Sequence, residues 1–178
     1  GAKTPSGVQA GTLTITGLAT SLSLSYNASA KSYFSPSVST PLWTASQTAT
    51  VVVTGSADVP AFSASLVAPN PITVTSPVPQ SYQTYTISRA ASLNVTWTGG
   101  VDGTATLTLG SSKGPYVACS VDASKGTLTV PAAFMAKLGT SGVFSVRATS
   151  TMTKNVGGWL MQFDAMAVKT EGTATFTP

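Results

Sequence analysis

Apolar and hydroxyl-bearing residues alternate with period two along most of the chain. Leu13 and Ile15, then Leu22, Leu24 and Tyr26, are each separated by Thr or Ser. A period of two puts successive side chains on opposite faces of a strand. The pattern predicts a β-ribbon joined through residues 17–21. Val51-Val52-Val53 and Phe62 to Val67 predict two more strands, with Gly55 and Asp58 in the turn between them. Residues 1–11 read as a lead-in. Pro36 and Pro41 punctuate a segment from Asn27 to Gln47 that reads as loop with one short strand.

Pro69, Pro71, Pro77 and Pro79 flank the alternating Ile72-Thr73-Val74-Thr75. Proline cannot donate to a ladder, so this stretch predicts an edge strand or a linker. Beyond it Leu93, Val95 and Trp97 face one way. Residues 99–103 turn the chain, and Ala105, Leu107 and Leu109 return with threonines outward, which predicts a hairpin. Val117, Cys119 and Val121 share a face, as do Phe144, Val146 and Ala148, and then Trp159, Met161 and Phe163.

One segment has a helical signature, with Pro131 at the first position, Phe134 and Leu138 four apart, Gly139 as the stop and Thr129 as cap. The expected fold is therefore all-β. It is an antiparallel β-sandwich of about a dozen strands with one short helix near 131–138. A single sandwich over 1–178 is the favoured organisation. The alternative is an N-terminal β subdomain over 1–68 followed by a second domain over 76–178, since the prolines between them make the one candidate boundary.

Composition strengthens the β reading. The chain has 29 threonines and 24 serines, and only 8% of its residues are charged. Threonine and valine, stiff at χ1, fit pleated strands. The net charge of +4 comes from cations dispersed from Lys3 to Lys169. No basic stripe exists to displace condensed counterions, so nucleic acid is not an expected partner. No apolar run approaches the length of a membrane span, so no transmembrane segment is expected. The start at Gly1-Ala2-Lys3 is compatible with a processed chain whose export signal has been removed.

Candidate chemistry is sparse. Histidine is absent and no Ser-x-x-Lys spacing occurs, so an activated serine has no base. The five carboxylates are Asp58, Asp102, Asp122, Asp164 and Glu171. Asp58 and Asp102 sit in Gly-containing turns where aspartate is expected for turn chemistry, and a glycosidase would need two acids converging. Calcium-loop spacing is missing, and zinc and copper lose their usual ligand with histidine, so neither metal nor cofactor is expected. Cys119, on a strand face with Val117 and Val121, reads as a buried inert thiol; an intermolecular disulfide is the alternative. Asn27-Ala-Ser and Asn94-Val-Thr match the glycosylation pattern, which a Ser/Thr-rich chain produces by chance.

The segment from Ser92 to Pro131, SLNVTWTGG through GTATLTLG to VACSVDASKGTLTVP, resembles immunoglobulin-like or fibronectin-like sandwich domains of exported bacterial proteins. With AGTLTITG, VPAFSAS and ITVTSPVP, the chain is also similar to bacterial surface lipoproteins and secreted proteins of unassigned function. The resemblance implies a secreted or cell-surface protein of bacterial origin, lipid-anchored before processing in one version. The single cysteine departs from true immunoglobulin domains, which pin their sheets with a disulfide.

The expected function is a non-catalytic structural or adhesive module of a cell surface or extracellular matrix. Its partners would be other surface or matrix proteins, including further copies of itself. The alternative is a carbohydrate-binding module that stacks sugar rings on exposed Tyr82, Tyr85 and Tyr116, with polysaccharide as partner. A carboxylate-dependent hydrolase is the third reading.

Overall fold

The structure is a computed structural model describing residues 7–35, 42–111, 113–167 and 170–178. The first six residues of the lead-in, and Pro36 and Pro41 of the expected loop, lie outside the described residues. The fold is all-β, with fifteen strands in several mainly antiparallel sheets and one short α-helix among the described residues. It divides into two compact units. One comprises the chain to Ala68 together with Thr151–Ala165, and the other Pro69–Ser150 with Met166–Pro178.

In the first unit β1 (Leu13–Thr16), β2 (Leu22–Leu24), β5 (Thr48–Val53) and β6 (Phe62–Val67) form an antiparallel sheet of order β2-β1-β5-β6. The small ribbon of β3 (Tyr26–Asn27) and β4 (Ser32–Tyr33) lies between β2 and β5 in the chain. The expected opening ribbon is present, with Leu13 opposite Leu24. Leu13 also stands opposite Val53, and Val53 opposite Phe62, so one apolar row crosses the sheet. This end of the face packs with Ala10, Val59, Val156, Trp159 and Met161 into the unit's core. The other face carries Thr14, Ser23, Thr50 and Ser65, whose polarity suits solvent.

The second unit is a two-sheet sandwich. β7 (Ile72–Ser76), β9 (Leu93–Gly99) and β12 (Thr127–Val130) make the small sheet, of order β12-β9-β7. The large sheet runs β11-β10-β13-β15-β8, built from β8 (Thr84–Ser88), β10 (Thr104–Gly110), β11 (Tyr116–Asp122), β13 (Ser141–Val156) and β15 (Thr170–Thr177). β14 (Trp159–Met166), which pairs with β13 off this path, belongs up to Ala165 to the first unit, as does β13 from Thr151. β8 joins β15 in parallel, and the other pairs are antiparallel. Ile72, Val95, Trp97, Leu128 and Val130 of the small sheet share one core with Leu107, Leu109, Phe144, Val146 and Phe176 of the large one.

Two local expectations are corrected. β9 and β10 do not form a hairpin, because β9 belongs to the small sheet and β10 to the large one. Gly99, Gly100 and Gly103 all take positive φ, at 80°, 66° and 85°, a tight turn that here carries the chain from one sheet to the other. Alternating faces look the same in either case, since both strands still point their apolar side into the core. The helix α1 (Ala132–Met135) is a single turn. It buries Met135 and Leu138 and leaves Phe134 exposed under the Lys137 ammonium, so the expected Phe134–Leu138 stripe does not form. Thr129 donates to Asn94 Oδ1 instead of capping, and the first helical amide, that of Ala132, donates to Ser92 Oγ.

Tyr85 shows how tightly the second core is filled. Its ring stacks on Phe144 with centroids 4.3 Å apart, and its hydroxyl finds no hydrogen-bond partner among the described residues. A buried unsatisfied hydroxyl costs free energy that a hydrogen atom in its place would not. Tyr85→Phe is therefore expected to stabilise the chain by about 1 kcal/mol in chemical denaturation. Burial also pushes this hydroxyl above the ordinary tyrosine range. The unfolded chain ionises first as pH passes about 10, so the stability present below that pH is lost as pH climbs through the folded-state value. Tyr85→Phe should remove this share of the alkaline loss; a melting profile above pH 10 identical to the native one would contradict it.

Candidate functional site

The outer face of the large sheet is a sheet of hydroxyls. Thr104, Thr106 and Thr108 point outward from β10 because Ala105, Leu107 and Leu109 point in. The ladder register sets Ala118, Thr108, Ser145 and Glu171 in one row across β11, β10, β13 and β15. The next row holds Ser120, Thr106 and Arg147. Thr106 Oγ1 and Ser120 Oγ are 2.9 Å apart, and Arg147 Nη1 donates to Met166 Sδ at 3.1 Å. Between these rows lies a shallow hollow of ≈ 370 Å³, lined by Thr106, Thr108, Val143, Ser145, Arg147, Thr149 and Glu171. It offers hydroxyl donors and acceptors, one guanidinium, one carboxylate and the exposed methyls of Val143.

The three tyrosines separate. Tyr85 is 1% exposed and stacks in the core, so it cannot serve as an exposed stacking platform; its alternation with Ile87 along β8 already carried that signal. Tyr82 is 98% exposed on a turn at Ser81–Gln83 and takes a positive φ of 56°. Tyr116 is 67% exposed at the start of β11. Tyr116, Gly110, Val143, Thr173 and Thr84 form one row across the whole large sheet. Four strand spacings of about 4.8 Å therefore separate the β11 edge from the β8 edge that follows Tyr82. The two exposed tyrosines do not form one platform. Tyr116 borders a second hollow, of ≈ 250 Å³, with Thr108, Gly110, Ser111 and Val143, which shares Thr108 and Val143 with the first.

Two of the acids, Asp122 and Asp164, hold local structure through their carboxylates. Asp122 Oδ1 accepts from Ser124 Oγ at 2.6 Å and from the Ser124 amide at 2.9 Å, and these bonds hold its carboxyl below the usual aspartate range. Asp164 accepts from Thr151 Oγ1 at 2.7 Å and Gln162 Nε2 at 2.8 Å, with the same consequence. The Asp58 carbonyl accepts from the Trp159 indole at 3.0 Å. Asn94 Oδ1 accepts from Thr127 and Thr129, and Asn27 Oδ1 from the Ala30 amide, so both asparagines of the glycosylation pattern have structural partners. Cys119 is half-buried rather than buried, because β11 is the last strand of its sheet. Among the described residues no group of three or more metal-ligating side chains comes together.

The first unit has an apolar cavity of ≈ 470 Å³ on the end of its sheet face that the core leaves uncovered. Leu22, Leu24, Leu66, Trp43, Met152 and Phe163 are among its walls, and Asp164 and Gln162 are at its margin.

No family model and no curated protein matches the chain. A solved structure, a Ca2+-stabilised adhesin that helps an Antarctic bacterium reach out and bind ice, is similar at 19% identity with a TM-score of 0.26. The match covers 97% of this chain and 42% of that one, so the chain spans less than half its length. At that identity and TM-score the likeness bears on neither activity nor partner. Among the described residues no helix is long and apolar enough to cross a membrane.

The tyrosines were found by residue type, and the hydroxyl face could not be. Outward threonines on β10 are legible from alternation alone, but their alignment with Ser145, Arg147 and Glu171 depends on pairing between strands far apart in sequence.

Proposed function

We propose that this chain is a non-catalytic structural or adhesive module of a bacterial cell surface or extracellular matrix, acting through protein–protein contacts. The observation that carries the reading is the outer face of the large sheet. It is continuous over β11, β10, β13 and β15, rich in hydroxyls, and bears few charges. Such a face can meet a partner without desolvating many ions, and aliphatic methyls beside hydroxyls suit contact surfaces of mixed polarity. The engagement of Asp122 and Asp164 in capping and side-chain hydrogen bonds supports a role without acid–base chemistry.

The second unit reads as an immunoglobulin-like domain. Its split into β12-β9-β7 against β11-β10-β13-β15-β8, with the corner between β9 and β10, supports that reading. The division at Ala68 and Pro69 supports a distinct unit built on the N-terminal strands, to which Thr151–Ala165 also belongs.

A carbohydrate-binding module is the second reading, favoured by one observation: exposed Tyr116 beside a hollow continuous with the hydroxyl face. Binding of the labelled chain to bacterial cells and isolated matrix separates the two. Protein contacts predict retention that protease treatment of the target abolishes, periodate treatment spares and Tyr116→Ala leaves unchanged. Loss on periodate treatment and with Tyr116→Ala would favour the glycan reading. No retention on any target would remove both.

A further inference from the structure

Strands at the margins of sheets expose unpaired amides and carbonyls, and proteins shield them with bulges, prolines, lysines or short length. Most margins of this chain have such a device. β7 is bulged between Val74 and Ser76 and flanked by Pro71 and Pro77. β12 has four residues and runs into Pro131, and β2 has three. On β6 the Ser63 carbonyl accepts from Lys154 Nζ at 2.6 Å. β8, five residues long, is entered through Pro77, Pro79 and a turn of two positive-φ residues.

β11 is different. Its seven residues, Tyr-Val-Ala-Cys-Ser-Val-Asp, contain no proline, glycine or lysine, and they pair with β10 in unbroken register from Tyr116 to Asp122. Among the described residues no strand pairs with its other side. Its inward side chains Val117, Cys119 and Val121 pack against the core yet remain half-exposed, whereas Ala105, Leu107 and Leu109 on the neighbouring strand are buried. Hydrogen-bonding groups and a strip of apolar surface thus lie open together.

We infer that β11 is the docking strand for a second copy of this chain, paired antiparallel about a twofold axis at Cys119, so that the large sheets of two copies become one. The inference rests on the protein-contact reading above and adds a second copy as a partner at the edge of that sheet. Self-complementarity points to a second copy. Cys119 is the middle residue of β11, so this axis is the one that pairs all seven positions. It sets Val117 opposite Val121 of the second copy, which closes the apolar strip, and Ala118 opposite Ser120. Tyr116 then faces Asp122, and the two Asp122 carboxylates lie at opposite ends of the seam. Directly opposed residues of antiparallel strands have Cα atoms about 4.5–5.5 Å apart, within the span a disulfide bridges. Cys119 is therefore a built-in reporter of the register.

Sedimentation velocity of the full chain under reductant, over a concentration series, tests this. The native chain is expected to show a reversible monomer–dimer equilibrium. Ala118→Lys with Ser120→Lys alters exposed positions only and opposes like charges at both pairs flanking the axis; it should weaken dimerisation about tenfold or more. Ala118→Lys with Ser120→Glu opposes unlike charges at the same pairs and should restore it. Without reductant, the added oxidant diamide should take two electrons and two protons from the paired Cys119 thiols and leave a disulfide-linked dimer. The double-lysine variant should not give one. A native chain that stays monomeric at millimolar concentration, a double-lysine variant that associates like the native chain, or a Lys/Glu variant that stays as weak as the double-lysine one overturns the pairing. Retention on cells and matrix, measured on the same preparation, shows separately whether the contact reading itself has failed.

Discussion

Trp97→Ala is expected to destabilise the second unit by about 3–5 kcal/mol, read as an earlier denaturant midpoint by far-ultraviolet circular dichroism. Trp97 is buried in the middle strand of the small sheet, within the shared core. Its indole donates to the Ala123 carbonyl at 2.9 Å, in the 3-10 turn that Asp122 caps. Truncation thus opens a cavity between two sheets and releases the turn joining β11 to β12. Trp97→Phe keeps most of the apolar fill and loses the donor. The Ala123 carbonyl still accepts from the Gly126 amide, so that variant should cost only about 1–2 kcal/mol. Equal losses in both variants would mean that the hydrogen bond rather than the packing holds this corner.

Phe144→Ala is expected to cost a comparable 3–5 kcal/mol, about what removing a fully buried aromatic ring costs elsewhere. Phe144 is buried on β13, which pairs with β10 on one side and β15 on the other. Its removal unstacks Tyr85 on β8. Because the two rings touch, the double variant Phe144→Ala with Tyr85→Ala should lose less than the two single losses added, by about 0.5–1.5 kcal/mol. Strict additivity would show that the stacked pair is not energetically coupled.

Local alternation made several elements legible. The spacing of Phe62 to Val67 predicts β6 with the bounds it has, and the inward Phe144, Val146 and Ala148 are all buried. The flanking prolines make the Ile72–Thr75 stretch an edge strand or a linker from sequence, and β7 takes the edge of the small sheet. Which sheet a strand joins was not legible. The residues before and after Gly99–Gly103 have the same in–out pattern whether the chain doubles back or crosses the core, and only the pairing of β9 with β7 and β12, and of β10 with β11 and β13, separates the cases. The short helix expected near 131–138 is present, but one turn is too short for an i, i+4 stripe, so Met135 rather than Phe134 faces the core. Residue type marks Tyr85 as a stacking candidate, whereas its alternation with Ile87 along β8 places it inward. Cys119 is half-buried because the sheet stops at its strand, a fact of topology that no local pattern records.

The contact face can be tested at the face itself. The measurement is the binding isotherm of the labelled chain on bacterial cells and isolated matrix, beside a variant with Thr106→Glu and Val143→Glu, two outward positions of the large sheet. Saturable binding by the native chain, weakened about tenfold or more by two charges placed on the face with the melting temperature unchanged, is the predicted result. Equal binding by both chains would show that this face is not the contact surface.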